Sequence, residues 1–281
     1  MAIKDLKEFK NISDEDTFTI VDHMVYREGQ QIPFIPHDKR AGRSEIDPKF
    51  FVYHYTAGRF GIDGTVNYLK NVNTKADVHL ILDVEGNLVQ MAPLNEKCWH
   101  AGKSSYKGYI GLNSSSCGIE VINPGPLDII DNGVYKTWFG KVYINATHIS
   151  EATIETFKNN GATIRNDIIE RAHQLHPNEK KYGWLPYSKQ QLNVMTNLAQ
   201  AICHHYDAEL VGHDEITTRK RDPGPLSEID RMREMIEGRD NDGNDTVTMP
   251  AMLLEDEILA QSGRPVNIKT GFSRLLGLFR R

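Results

Sequence analysis

The sequence predicts an α/β protein: a central mixed β-sheet flanked by helices, with a long insertion and a C-terminal tail. Three observations predict it. Strand-like and helix-like stretches alternate along the chain, a clear β-hairpin sits in their midst, and one long helix carries its own cap. The 281 residues exceed what one core needs, so one large domain with appendages is expected.

Residues 1–48 are polar and broken by Pro33, Pro36 and Pro48, which predicts a wrapping arm rather than a core element, with 1–30 outside the domain proper. The domain is expected over 31–238. Its first strand is KFFVYHYTAG, where Phe51, Tyr53 and Tyr55 point one way and Val52, His54 and Thr56 the other. IDGTVNYLKNV predicts a short helix with Asp63 as N-cap. DVHLILDVEGNLVQMAP predicts a hairpin turning at Glu85-Gly86-Asn87, and CGIEVINPG a further strand.

Residues 126–187 read as an insertion lobe, with helices expected at ISEATIETFKNN and near IRNDIIERAHQL. The strongest helical signal follows at YSKQQLNVMTNLAQAICHHY. Ser188 and Gln191 form a capping-box pair there, and Leu192, Met195, Leu198, Ala199 and Ile202 recur at helical spacing. A strand, AELVGH, then delivers His213, and a helix around SEIDRMREMIE closes the domain near Gly238. Residues 239–250 read as a disordered linker and 251–281 as a basic amphipathic tail.

Composition narrows the function. A net charge of −5 gives no global basic field, so nucleic acid is not an expected partner. No P-loop or GxGxxG stretch appears in a strand-to-helix setting. Cys98, Cys117 and Cys203 include no CxxC pair, which argues against a thiolate zinc knuckle or a disulfide framework. The first residues lack a secretory apolar core and no apolar run is long enough to span a bilayer, so synthesis in the cytoplasm is expected.

Chemistry concentrates in three places. His54 ends one strand, His213 ends another, and Asp222 follows nine residues later in VGHDEITTRKRDPGP. Two imidazoles and a carboxylate can hold Zn²⁺ tetrahedrally and leave one position for water. Each residue taken alone reads better as a strand-end histidine or a turn-forming aspartate before proline, and it is the set together that points to a metal.

The blocks HYTAG, CWHAGKS, CGIEVIN and VGHDEITTRKRDPGP, in this order, closely resemble the zinc-dependent N-acetylmuramoyl-L-alanine amidases. This is the type-2 amidase family, whose fold is shared with T7-type phage lysozyme and the peptidoglycan recognition proteins. The resemblance covers roughly residues 31–236. It implies zinc ligands at His54, His213 and Asp222, a catalytic glutamate at Glu120, and a catalytic lysine at Lys220. It also implies hydrolysis of the amide joining N-acetylmuramic acid to L-alanine, in peptidoglycan or in muropeptides, by metal-activated water. Glu120 would move the proton and Lys220 would steady the developing oxyanion. Pro223-Gly224-Pro225 would stiffen the loop behind Asp222.

Four further residues are candidates for contacting substrate: Thr56, His79, Trp99 and His100. Thr56 reads equally as a strand residue, His79 as a packed core histidine and Trp99 as core. Some family members place a tyrosine just before the position of His79; Val78 stands there instead. Two other readings of the chain remain open, a non-catalytic peptidoglycan-binding module on the same fold and a zinc peptidase on the same scaffold. Within the tail, GRPVNIKTGFSRLLGLFRR carries Arg264, Lys269, Arg274, Arg280 and Arg281 without an acid, and Phe272, Leu275, Leu276 and Phe279 at helical spacing. It can lie on anionic membrane or lipopolysaccharide, or dock on its own domain or a partner. The leaning is toward an endolysin-like, bacteriolytic role after release or export, ahead of cytoplasmic muropeptide recycling.

Overall fold

The computed structural model describes residues 16–37, 43–59, 61–176, 178 and 180–238. Residues 1–15 of the expected arm, the expected linker at 239–250 and the expected tail at 251–281 lie outside them. The chain divides into two compact units, and the described residues place 16–125 and 187–238 in one and Pro126–Pro186 in the other.

The first unit opens with a three-stranded antiparallel meander, β1 (Phe18–Val21), β2 (Met24–Arg27) and β3 (Gln30–Gln31). This corrects the expectation of an arm without core elements. Phe18, Val25 and Ile32 enter the main core, and the Gln90 side chain accepts the Val25 N–H at 2.9 Å. In β1 and β2 burial alternates along the strand, with Phe18 and Val25 inside and Thr19 and Val21 exposed, so a polar-looking segment hides a one-sided sheet.

The main sheet is built from β4 (Phe50–Tyr55), β5 (Leu80–Leu82), β6 (Leu88–Gln90) and later strands. Helix α1 (Ile62–Lys70) connects β4 to β5, starting after Gly61 with Asp63 in its first turn rather than at the cap. β5 and β6 form the expected hairpin, with Gly86 at φ +82° in its turn. A two-stranded ribbon, β7 (Ser105–Tyr106) with β8 (Tyr109–Ile110), precedes β9 (Ser116–Val121).

The second unit follows. Strands β10 (Asp128–Asp131), β11 (Val134–Lys136), β12 (Val142–Ile144) and, after helix α2 (Glu151–Asn159), β13 (Thr163–Ile164) make one sheet. β14 (Ile169–Arg171) and β15 (Tyr182–Trp184) make an antiparallel pair. The helix expected near IRNDIIERAHQL is therefore absent: β13 and β14 occupy that stretch. Ile169 pairs with Trp184 and Ile168 joins an aromatic core with Tyr135 and Tyr143, so tertiary pairing overrides local periodicity.

The chain re-enters the first unit through α3 (Lys189–Tyr206), β16 (Glu209–Gly212), α4 (His213–Ile216) and α5 (Ile229–Gly238). Both halves of the expected capping box on α3 are made, Ser188 Oγ accepting the Gln191 N–H at 3.0 Å. The main sheet has the order β16-β4-β9-β5-β6, parallel throughout except for β6. Parallel neighbours need long crossovers, whereas a tight turn forces β5 and β6 antiparallel, so the mixed sheet follows from connection length.

Alternation assigns the two faces. Phe51, Tyr53, Cys117, Ile119, Leu80 and Leu210 pack with Val194, Met195, Leu198 and Ile202 of α3. The opposite face carries Val52 and Val211 in one apolar cluster and Ile81 with α1 in another. His54 and Glu120 belong to this second face by strand parity, at the carboxyl ends of parallel strands, where ligands bind open α/β sheets.

Candidate metal centre

His54 sits on a central strand, directly opposite Glu120 of β9 in the parallel register, and is 1% exposed. His213 begins α4 where β16 ends. The Gly212 N–H donates to Glu215 Oε2 at 2.6 Å, and Arg233 of α5 pairs with Glu215, fixing the strand-to-helix corner. The loop then doubles back: the Asp214 N–H donates to the Asp222 carbonyl at 2.8 Å. Tyr187 Oη donates to the Pro223 carbonyl, also at 2.8 Å. Asp222 is thereby delivered to two histidines far apart in sequence from one another.

Three atoms converge. His54 Nδ1 lies 2.8 Å from His213 Nδ1 and 2.9 Å from Asp222 Oδ2, and His213 Nδ1 lies 2.7 Å from the same oxygen. Among the described residues this is the one group of His, Cys, Asp or Glu side chains spaced to hold a metal ion. Burial, and then the neighbouring His213, push the His54 pKa down to about 4, so its imidazole is neutral and carries a lone pair. Burial opposes ionisation of Asp222, but its close contacts with His213 and His54 outweigh this and hold its carboxyl well below the usual range. Lone pairs of neutral imidazole and carboxylate aimed at one point repel unless a cation lies among them. This donor set suits a divalent metal. His213 Nε2 is buried without a hydrogen-bond partner, so Nδ1 is the ring nitrogen engaged.

Glu120 stands beside this cluster. Its Oε2 is buried and has no partner. Burial raises its pKa well above the carboxylate range, the Asp222 charge adds to this, and Lys220 opposes it. Lys220 is exposed, yet its charge reaches both Glu120 and His54.

The four candidate substrate contacts separate. Trp99 is 54% exposed, its ring lies under the Lys97 ammonium at 4.8 Å, and its N–H is held by Asp77. Thr56 is half-buried and donates to the Asn123 carbonyl at 3.3 Å, a strand-end role. His79 is fully buried and both its nitrogens are used: Nδ1 accepts the Gly118 N–H at 3.0 Å and Nε2 donates to the Glu96 carbonyl at 2.7 Å. It is a core histidine, and the expectation that it contacts substrate is corrected. His100 is buried too, with its Nδ1 3.0 Å from His54 Nε2.

Sequence reasoning missed several supporting residues. Arg43 pairs with Asp77, which in turn holds the Trp99 backbone. Asn113 Oδ1 accepts the N–H groups of His100 and Ala101 at 3.0 and 2.7 Å. Gly118 was the readable one, because glycine inside a strand marks a close approach: a Cβ there would lie 2.6 Å from His100 Nδ1.

A family model described as N-acetylmuramoyl-L-alanine amidase matches residues 44–225, a range that includes His54, Glu120, His213, Lys220 and Asp222. N-acetylmuramoyl-L-alanine amidase XlyA of Bacillus subtilis (strain 168) is 27% identical over 160 residues, covering 56% of this chain and 52% of its own length. The 1,6-anhydro-N-acetylmuramyl-L-alanine amidase AmpD of Citrobacter freundii is 29% identical over 118 residues, covering 36% of this chain and 62% of its own. The chain thus spans about half to three-fifths of these curated relatives. Among solved structures, the amidase AmiD of E. coli, in complex with its anhydro-muropeptide substrate, aligns with a TM-score of 0.43 at 22% identity, covering 75% of this chain and 66% of its own.

Proposed function

The chain belongs to the N-acetylmuramoyl-L-alanine amidase family, and from that premise we propose that it is a zinc hydrolase of peptidoglycan, cutting the amide between the lactyl group of N-acetylmuramic acid and L-alanine. The observation that carries this reading is the convergence of His54, His213 and Asp222 on one point, with the Glu120 carboxyl on the same sheet face. His54 Nδ1, His213 Nδ1 and Asp222 Oδ2 would hold the ion. Bound there, zinc supplies Lewis acidity that makes water nucleophilic near neutral pH and polarises an amide carbonyl.

The remaining work falls to side chains. Glu120 takes the proton of the attacking water on its free Oε2 and returns it to the departing amide nitrogen. A raised pKa suits a carboxyl that must hold a proton between those two transfers. The part of that shift due to Asp222 shrinks once the Asp222 charge is shared with a cation. Lys220 offsets the negative charge that grows on the carbonyl oxygen as it becomes tetrahedral. Trp99, exposed beside buried His100, offers an apolar surface to sugar or stem peptide.

The basic, apolar-spaced sequence at 264–281 supports action at the wall after release or export. If residues 250–281 are removed and binding to sacculi and to anionic vesicles is unchanged, that part of the proposal is lost.

Product identification tests the activity. Purified protein incubated with sacculi and with soluble anhydro-muropeptide should release stem peptides beginning at a free L-alanine amine, lose this activity to a chelator and regain it with zinc. Binding without release would indicate the non-catalytic module, and cleavage within the stem would indicate a peptidase.

A further inference from the structure

His100 is a buried imidazole for which the proposed chemistry has no use. Its Nδ1 stands 3.0 Å from His54 Nε2, the ring nitrogen of His54 that faces away from the metal-ligating cluster. Its Nε2 stands 3.3 Å from the Ser116 carbonyl oxygen and 3.4 Å from Ser116 Oγ. The hydroxyl proton of Ser116 goes to the Leu112 carbonyl at 2.7 Å, so both Ser116 oxygens face His100 as acceptors. Two acceptors require a donor, and His100 Nε2 must carry the hydrogen.

The consequence passes through two rings. A neutral His100 protonated at Nε2 has only a lone pair at Nδ1. The proton in the 3.0 Å contact must then belong to His54 Nε2, which leaves His54 Nδ1 unprotonated toward His213 and Asp222. The surroundings hold this arrangement. Asn113 Oδ1 anchors the His100 backbone, and Gly118 lets the ring lie against β9, where a Cβ would collide with it at 2.6 Å. His79 packs edge-on against His100 with centroids 5.5 Å apart, and both its nitrogens are committed to backbone groups. It cannot replace His54 as the partner of His100.

We propose that His100 is a positioning residue: anchored on Ser116, it locks His54 into the tautomer that presents Nδ1 as a ready ligand to a divalent metal ion. This rests on the metal-centre reading above. Metal-binding histidines are commonly oriented through the other ring nitrogen, and loss of such a partner weakens metal binding about 10- to 100-fold. Here the partner is a second imidazole, whose own tautomer is set by a backbone carbonyl.

Two variants and one spectrum test it. His100→Phe keeps an apolar ring against Gly118 but removes the acceptor, whereas His100→Asn keeps an oxygen near the place of Nδ1. Competition of the metal-free proteins with a chromophoric chelator for zinc should give a dissociation constant about 10- to 100-fold weaker for His100→Phe. His100→Asn should recover most of that loss, with the unfolding temperature of the metal-free chain changed little in either. In metal-free wild type, long-range ¹H–¹⁵N correlations should show His54 protonated at Nε2 and bare at Nδ1. Zinc affinity of His100→Phe within about twofold of wild type, His100→Asn no better than His100→Phe, or a His54 proton on Nδ1 would each overturn the proposal. Should His100→Phe fail to fold, the spectrum of the wild type decides alone. A wild type that takes up no zinc would remove the metal-centre reading itself, while the metal-free spectrum still reports on His100.

Discussion

The two units bury different chemistry. The first hides His54, His213 and Asp222 at the carboxyl ends of its parallel strands, with His100 against His54 and His79 against His100. The second hides Val134, Val142, Ile144 and Phe157 in one cluster, and Leu127, Tyr135, Tyr143, Ile168 and Leu185 in another. Burying a polar ring costs stability unless each nitrogen finds a partner, so a core rich in imidazole is a poor way to make a fold stable. Among its described residues the second unit fully buries one imidazole, His173, whose Nδ1 accepts the Leu175 N–H, and otherwise follows the ordinary rule for stability. The first departs from it, and its departures cluster where the ligand atoms meet; local rules tend to break at functional sites.

That contrast can be broken by mutation. The largest expected effect is on turnover: Glu120→Gln should slow amide hydrolysis by roughly 10²- to 10⁴-fold while zinc stoichiometry and unfolding temperature stay close to wild type. Steady-state kinetics with metal analysis of the same sample checks this, and unimpaired turnover would remove Glu120 from the chemistry. Next, Phe157→Ala should cost about 3–5 kcal/mol in urea denaturation of the second unit, through the cavity it leaves, with zinc affinity unchanged. A matching loss of zinc affinity would show that the two units are not separable in this way.

The smallest effect is pH-linked. His54 and His79 are held down to about 4 by burial, whereas in the unfolded chain each titrates near 6.5. The unfolded state therefore binds more protons in that window, and stability of the metal-free protein falls as pH drops through it. Between pH 7 and 4.5 each group should contribute about 2 kcal/mol of loss. Urea midpoints measured across that range check the slope, and a flat profile would mean that these rings are not buried neutral.

Much of this was legible because strand parity and caps are local. Alternation in KFFVYHYTAG placed His54 on the face opposite Tyr53, the hairpin turn placed β5 and β6, and Ser188 with Gln191 marked the start of α3. The ligand set at His54, His213 and Asp222 came from four motif blocks, and the coordinates bring those three side chains together. Other features depend on contacts that a linear reading does not contain. Trp99 and His100 are adjacent, yet one is exposed and the other buried on His54, because Asp77 and Asn113 grip the backbone on either side. The segment 163–171 has helix-like spacing but forms strands, since its partners lie in β12 and β15. The meander at 18–31 was too short and too polar to register as core, although α3 lies against it.

The central claim is that one divalent ion is gripped by His54, His213 and Asp222. An anomalous difference map from crystals of the zinc-loaded protein tests it most directly. One strong peak is expected at about 2.0–2.2 Å from His54 Nδ1, His213 Nδ1 and an Asp222 carboxylate oxygen, and absent in Asp222→Ala. A peak ligated by other residues, or none at this cluster in protein shown to be folded, would contradict the metal centre and the mechanism built on it.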